Sequence, residues 1–251
     1  MSETQVFKIP KVWNADVQPH YCPGCTHGII HRLVCEAIEE LGIEDRTVGI
    51  APVGCSVLIH RYMSLDFIEA AHGRALAVAT GMKAVAPDRI IFTYQGDGDL
   101  ASIGLAETVH AMNRTLPLTT VFVNNAIYGM TGGQMAPTTL LGQRTSTSPA
   151  GRRKEVSGYP IRMSEMLATL EGSAYIERVS VSNVRSIIKA KQAILKAFKN
   201  QVEGKGMSLV EVLSTCPTNW GMRPLDAVKW LEENMIPYFP LGVFKDFELA
   251  K

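Results

Sequence analysis

RIIFTYQGDGD at residues 89–99 and LTTVFVNN at residues 118–125 decide the fold. Each is a run of apolar and β-branched residues ending in small or polar turn formers, the pattern of a strand buried on both faces. Residues 101–112 between them are helical in pattern, so two parallel strands are joined by a helix. The alternation extends both ways. Upstream, TVGIA at Thr47–Ala51 is a short buried strand. A helix over residues 27–41 precedes it, with Ile30, Leu33, Val34, Ala37, Ile38 and Leu41 on one face and Gly42 as its stop. Residues 74–86 are Ala-rich and predict a helix packed closely on its neighbours. Downstream come a helix near 164–170, a strand near 174–179, a helix over 183–198 and a strand at 208–213. The pattern is that of one α/β domain over residues 1–251, with a mainly parallel sheet and helices on both faces.

Composition sets the class. Lys and Arg number 25 against 24 Asp and Glu, a formal charge of +1, so no basic excess exists to bind nucleic acid. Hydrophobic residues at 46% and charged residues at 20% are ordinary for a globular chain. No window approaches the ~18 uninterrupted apolar residues of a membrane span. Residues 1–10 carry no apolar core of an export leader, so a cytoplasmic location is expected. There the five cysteines would be thiols or metal ligands rather than a disulfide framework. Two stretches break the alternation. Residues 128–153, rich in Gly, Thr, Ser and Gln, form a long loop of the kind that is usually functional. From about residue 217 to 251, Pro217, Trp220, Pro224, Trp230, Pro237, Tyr238 and Pro240 predict a C-terminal arm laid over another surface.

Parallel sheets bind ligands outside the carboxyl ends of their strands. After RIIFTY comes Gly96-Asp97-Gly98-Asp99, where glycines let backbone amides approach a phosphate and Asp97 offers a hard oxygen to Mg²⁺. After LTTVFV comes Asn124-Asn125-Ala126-Ile127-Tyr128-Gly129. One carboxylate, one amide oxygen and a loop carbonyl leave room for two diphosphate oxygens and a water, the partly hydrated octahedron Mg²⁺ prefers. Either motif alone reads as ordinary turn residues. Together, at successive strand ends, they point to a metal–diphosphate site. Among the cysteines, Cys22-Pro-Gly-Cys25 precedes a helix, Cys55 follows TVGIA and Cys216 follows the strand at 208–213. Cys35 lies mid-helix among apolar residues and reads as a small core hydrophobe. The remaining four match the thiolate count of a [4Fe–4S] cluster. A lone C-x-x-C also suits zinc or thiol redox chemistry, so spacing leaves those open.

GDG followed by NN at this spacing resembles the thiamine diphosphate motif. The fuller string Asn125-Ala-Ile-Tyr-Gly-Met-Thr-Gly-Gly-Gln134, then Pro137-Thr138-Thr139, resembles the β subunit of the 2-oxoacid:ferredoxin oxidoreductases. The likeness runs from Cys22 to about Pro217. It implies thiamine diphosphate, Mg²⁺ held by Asp97, Asn125 and the Ile127 carbonyl, and Gly96 and Gly98 packed around the diphosphate. By the same likeness His72-Gly73-Arg74 lies near the cofactor, and Cys55, Ser56, Asp99, Met130 and Thr131 border it. It further implies a proximal [4Fe–4S] cluster on Cys22, Cys25, Cys55 and Cys216. For His72 alone, a purely structural histidine is an equal alternative.

The implied reaction is CoA-dependent oxidative decarboxylation of a 2-oxoacid, with electrons passed to ferredoxin. The carboxylate that activates the cofactor's aminopyrimidine is expected on a separate α subunit, within a hetero-oligomer that also holds γ or ferredoxin-like δ subunits. The 128–153 loop and the C-terminal arm are candidate contacts with those partners. Pyruvate-type relatives commonly carry Asn where this chain has Met130, which favours 2-oxoglutarate or a branched-chain oxoacid such as 3-methyl-2-oxobutanoate, with 2-oxoglutarate the expected substrate of the two. Arg144, Arg152 and Arg153 would meet the distal carboxylate of 2-oxoglutarate, or else be solvated loop charges. Two other classes stay in view: a subunit of a non-redox thiamine diphosphate decarboxylase or synthase, and a zinc-stapled α/β interaction protein.

Overall fold

The structure is a computed structural model that describes residues 8–247. Residues 1–7 of the stretch expected to lack an export leader, and residues 248–251 of the expected arm, lie outside that range. Strands β1 (Thr47–Ala51), β2 (Asp66–Glu69), β3 (Ile90–Gly96), β4 (Thr119–Asn124), β5 (Ser173–Ser180), β6 (Met207–Leu213) and β7 (Gly242–Asp246) build one sheet. Its order is β2-β1-β3-β4-β6-β5-β7. All pairings are parallel except β5 with β7. Gly96 is level with Val123, and Asn124 with Leu213, so β3, β4 and β6 end side by side.

Side chains alternate across the sheet as the pleat requires. Phe92, Tyr94, Val121 and Val210 face one layer, where α1 (His27–Leu41) contributes Ile30, Val34 and Ile38. Ile91, Phe122 and Leu209 face the other, against Leu76 and Ala79 of α2 (Ala75–Val85) and Met112 of α3 (Leu105–Asn113). That second layer also takes in Met163 and Leu167 of α4 (Met163–Ala168). The first is completed by Ile194 and Phe198 of α5 (Val184–Val202). Burying each of the larger side chains contributes about 1.5–3 kcal/mol, so the strand pairs beneath the loops are held from both sides. No helix among the described residues is long and apolar enough to cross a membrane.

The structure departs from the sequence expectations at the sheet's edges. Strand β2 is half-exposed and charged at both ends, which hid it in the sequence, yet it pairs with β1 throughout its length. Helix α5 runs a turn beyond Phe198, because Gln201 is buried there, donating to the Ile91 carbonyl at 2.8 Å and accepting from the Thr119 hydroxyl. The described part of the C-terminal arm lies over this chain's own loops: Leu231, Met235 and Phe239 bury themselves against Ala126, Leu140 and Leu213, and Gly242–Asp246 adds β7 at the sheet edge.

Candidate active site

Because β1, β3, β4 and β6 are neighbours, the loops leaving their carboxyl ends meet above the sheet, and three of them border one cleft. His27, Val53, Cys55, Ser56, His72, Gly96, Asp97, Gly98, Asn125, Ile127, Tyr128, Gly129, Met130 and Thr131 are among its walls.

Asp97 is 2% exposed. One carboxylate oxygen accepts the Gly98 amide at 2.8 Å and the other the Thr138 hydroxyl at 2.6 Å. Burial pushes its carboxyl up to about 7, against the pull of those donors and the amides of Ile127 and Ala126. A buried carboxylate with neutral donors only is stabilised by a cation placed beside it. Gly98 has to be glycine, since a Cβ there would lie 2.1 Å from the Tyr128 ring. On the next strand end, Asn124 and Asn125 fold their side-chain oxygens onto the amides of Ala126 and Ile127, each at 3.2 Å. These two overlapping Asx turns hold Ala126 at φ +58°, a left-handed conformation that costs a non-glycine residue about 1–2 kcal/mol. The Ala126 carbonyl is fixed by the Thr139 hydroxyl at 2.6 Å and the Gln143 amide at 3.2 Å. Strain locked in this way is a recurring mark of functional turns.

Asp97, Asn125 and Ile127 thus border one cleft and supply hard oxygens. That donor set, open on one side, suits a Mg²⁺ that completes its shell with phosphate oxygens and water. Among the described residues no three His, Cys, Asp or Glu side chains gather around a single ion. The expected Mg²⁺ set, with one carboxylate, contains no such trio.

Of the other expected cofactor contacts, His72 lines the cleft. Its Nδ1–H donates to Asp99 at 2.6 Å; the same oxygen accepts the Gly73 amide, and Gln95 holds the other. Asp99 is therefore a buried anchor for His72 and not part of the cleft wall. Gly73 lies against the backbone of the π-helical turn Asp99–Ile103, and Arg74 turns away to pair with Glu107 at 2.7 Å. Met130 is half-exposed and Thr131 exposed on the rim. Arg144 and Arg153 are exposed, but Arg152 is not. Its guanidinium is buried and donates to the carbonyls of Pro137, Thr139, Ser157 and Tyr159 at 2.8–3.0 Å, and to Ala136 and Gly158 slightly farther off. It is neither a solvated loop charge nor free to meet a substrate carboxylate; it staples the 128–153 loop to the backbone of Ser157, Gly158 and Tyr159.

The four cysteines assemble beside the cleft. A Cβ on Gly129 would lie 3.0 Å from the Cys55 sulfur and 3.5 Å from that of Cys216, so both sulfurs face this cleft residue. Burial pushes the Cys25 thiol up to about 11 and that of Cys55 to about 12, with Cys22 and Cys216 adding to each. Cys216 is raised in the same way, by burial first and also by Cys22. Cys35 is separate, buried within α1. Burial first, then neighbouring sulfurs, disfavours free thiolates at Cys25, Cys55 and Cys216, a setting that suits a metal centre taking thiolates outright. Among the described residues these cysteines do not gather as three ligands of a single ion.

Sequence reasoning missed His27. It is 3% exposed, lines the cleft, stacks on Tyr21 at 4.6 Å, and has Nδ1 2.8 Å from the Tyr94 hydroxyl. Burial pushes its imidazole down to about 3, so it is neutral. The available sign was a histidine opening the helix directly after the cysteine loop.

Comparison with known proteins points the same way. Residues 52–212 match the family model for the thiamine pyrophosphate enzyme, C-terminal TPP binding domain. Ketoisovalerate oxidoreductase subunit VorA of Methanothermobacter marburgensis is 50% identical over 93% of this chain and 49% of its own length. The 2-oxoglutarate synthase subunit KorB of Methanocaldococcus jannaschii is 35% identical over 90% of this chain and 82% of its own. A solved 2-oxoglutarate:ferredoxin oxidoreductase from Magnetococcus marinus, with 2-oxoglutarate, coenzyme A and succinyl-CoA bound, superposes with a TM-score of 0.78 at 26% identity. That match covers 98% of this chain and 87% of the other. The chain spans about half the length of the VorA relatives it matches.

Proposed function

The chain belongs to the 2-oxoacid:ferredoxin oxidoreductase subunits built on the thiamine pyrophosphate-binding domain, and from that premise we propose that it is the β-type subunit of a CoA-dependent 2-oxoacid oxidoreductase. It holds thiamine diphosphate with Mg²⁺ in the cleft and a [4Fe–4S] cluster on Cys22, Cys25, Cys55 and Cys216. The observation that carries this is the position of Gly129, which borders the cleft and faces both the Cys55 and the Cys216 sulfur. A cofactor in the cleft and a cluster on the thiols would be adjacent, as electron transfer between them needs.

When bound, thiamine diphosphate supplies the carbanion and the electron sink for decarboxylation. The chain's own residues do the rest. Asp97, Asn125 and the Ile127 carbonyl hold Mg²⁺, and Gly96 and Gly98 keep the wall free of side chains where the diphosphate lies. Asp99 fixes the tautomer of His72, so its Nε2 is the ring nitrogen left for the cleft. The buried, neutral His27 forms part of the inner wall. The aminopyrimidine-activating carboxylate comes from a partner α subunit, and the electrons go on to ferredoxin, through γ or δ subunits where present.

For the substrate we favour a branched-chain 2-oxoacid such as 3-methyl-2-oxobutanoate over 2-oxoglutarate. Identity is 50% with a ketoisovalerate oxidoreductase subunit against 35% with a 2-oxoglutarate synthase subunit. Of the three loop arginines expected to meet a second carboxylate, Arg152 is fully engaged by carbonyls, and Arg144 and Arg153 stay exposed. The apolar Met130 on the rim suits a branched chain. The test is anaerobic purification followed by iron, sulfide and zinc analysis and calorimetric titration with thiamine diphosphate with and without Mg²⁺. About four irons per chain, lost in Cys216→Ala, and Mg²⁺-dependent binding, lost in Asp97→Ala, are expected. Zinc in place of iron, or thiamine diphosphate binding indifferent to Asp97, would overturn the assignment.

A further inference from the structure

The short helix Pro217–Trp220 touches both halves of the site. The Asn219 side-chain amide donates to the Cys216 sulfur at 3.3 Å and to the Gly129 carbonyl at 2.8 Å. Its Oδ1 lies 3.1 Å from where a Cβ on Gly133 would sit, so Asn219 is packed closely against the 128–153 loop. The next residue, Trp220, donates its indole N–H to the Asn125 carbonyl at 3.2 Å. One NH₂ group therefore joins a cluster cysteine to the cleft wall. It supplies a side-chain hydrogen bond to that sulfur, whereas Cys22, Cys25 and Cys55 receive no side-chain hydrogen bond among the described residues.

Resting on the cluster assignment above, we propose that Asn219 is a positioning residue that sets the reduction potential of the [4Fe–4S] cluster and holds it in register with the cofactor loop. The reason is electrostatic. A reduced cluster carries one more negative charge than the oxidised one, spread partly onto its thiolates. An N–H dipole aimed at a thiolate stabilises the reduced state more and raises the potential. Because the same amide is anchored on Gly129, it cannot rotate away when the sulfur's charge changes. The donor is therefore fixed in advance. A cluster of higher potential is the better acceptor for electrons leaving the neighbouring cleft.

The full chain, its cluster reconstituted anaerobically with iron and sulfide, is titrated between dithionite and oxidised mediators and followed by electron paramagnetic resonance. Asn219→Ala removes the donor, and Asn219→Asp keeps the shape while replacing the donor with a negative charge. Asn219 is only half-buried, so both variants should fold. Expected are unchanged iron content, a more negative midpoint in Asn219→Ala, and a further negative shift in Asn219→Asp. Full iron with an unshifted midpoint in both variants would overturn the role of Asn219 alone. Loss of the cluster from both would make Asn219 a retaining residue instead, which also overturns it. A wild-type chain that takes up no iron would overturn the cluster assignment and this inference together.

Discussion

Replacing Arg152 by Met separates a staple from a substrate contact. Met keeps most of the side-chain length while removing all the donors. In the structure those donors reach six backbone carbonyls, four of them at 3.0 Å or closer. Charged-group hydrogen bonds contribute about 1.5–3 kcal/mol each, but the total is far smaller than their sum. Burial already pulls the guanidinium pKa down, so part of the gain offsets its desolvation. The carbonyls of Ser157 and Tyr159 belong to partly or fully exposed residues, and water can replace Arg152 there. Thr139 is buried, and its carbonyl loses a partner that water cannot supply, whereas the buried Ala136 carbonyl keeps the Thr139 amide at 3.2 Å. At about 1–3 kcal/mol for an orphaned group, the net loss is about 1–3 kcal/mol. Arg152→Lys should recover only part of it, since three donors on a point charge cannot span the fork. Urea unfolding should show a lower midpoint at unchanged slope. Turnover with the partner subunits should fall by a similar factor for 2-oxoglutarate and 3-methyl-2-oxobutanoate. Unchanged stability with a KM rise confined to 2-oxoglutarate would refute the staple and restore a carboxylate contact.

Two further outcomes test the framework around the site. His31 is fully buried, and burial, followed by His27 and His20, holds its imidazole well below the ordinary range. The unfolded chain takes up a proton near pH ~6.5 that the folded chain refuses, so stability is full above that pH and falls below it, by about 1.4 kcal/mol at pH ~5.5. His31→Phe should flatten this acid limb in urea titrations at about pH 7.5 and 5.5; an equally steep limb would sink the assignment. At Ala126, glycine relieves about 1–2 kcal/mol of left-handed strain against an unfolded-chain entropy cost of about 0.5–1 kcal/mol. Ala126→Gly should therefore unfold at or slightly above the wild-type midpoint, while Ala126→Val should lose about 2 kcal/mol or more. A stable Val variant would show that the turn is not strained.

What the sequence discloses depends on how local the cause is. Strands β1, β3, β4 and β6 are short apolar runs whose burial on both faces leaves one composition possible, and their loops carry the cofactor motif in plain view. Strands β2 and β7 owe their existence to a neighbour's open edge, which no pattern within DFIE or GVFKD records. That Asp97 and Asn125 border the cleft was legible from their places at successive strand ends. Asp99 looked the same on paper, yet its backbone turns it inward to hold His72. Arg152 shows the limit most clearly, since a loop arginine reads as solvated until its carbonyl partners, contributed by residues on both sides of it, are placed. Ala126 gave no sign, because strain is imposed by the two asparagines folding over it.

The strand order has a consequence for how the protein is made. Strand β6 lies between β4 and β5 but is synthesised after both. While residues 125–206 are emerging from the ribosome, β4 presents an unpaired apolar edge, and β5 has no parallel partner to dock against. Half of the sheet therefore waits for residues 207–213, a pairing of long sequence separation and correspondingly slow closure. Until then the nascent chain exposes the kind of strand edge that associates with other chains. Pauses in translation before that point would prolong the exposure, and pauses after it would not.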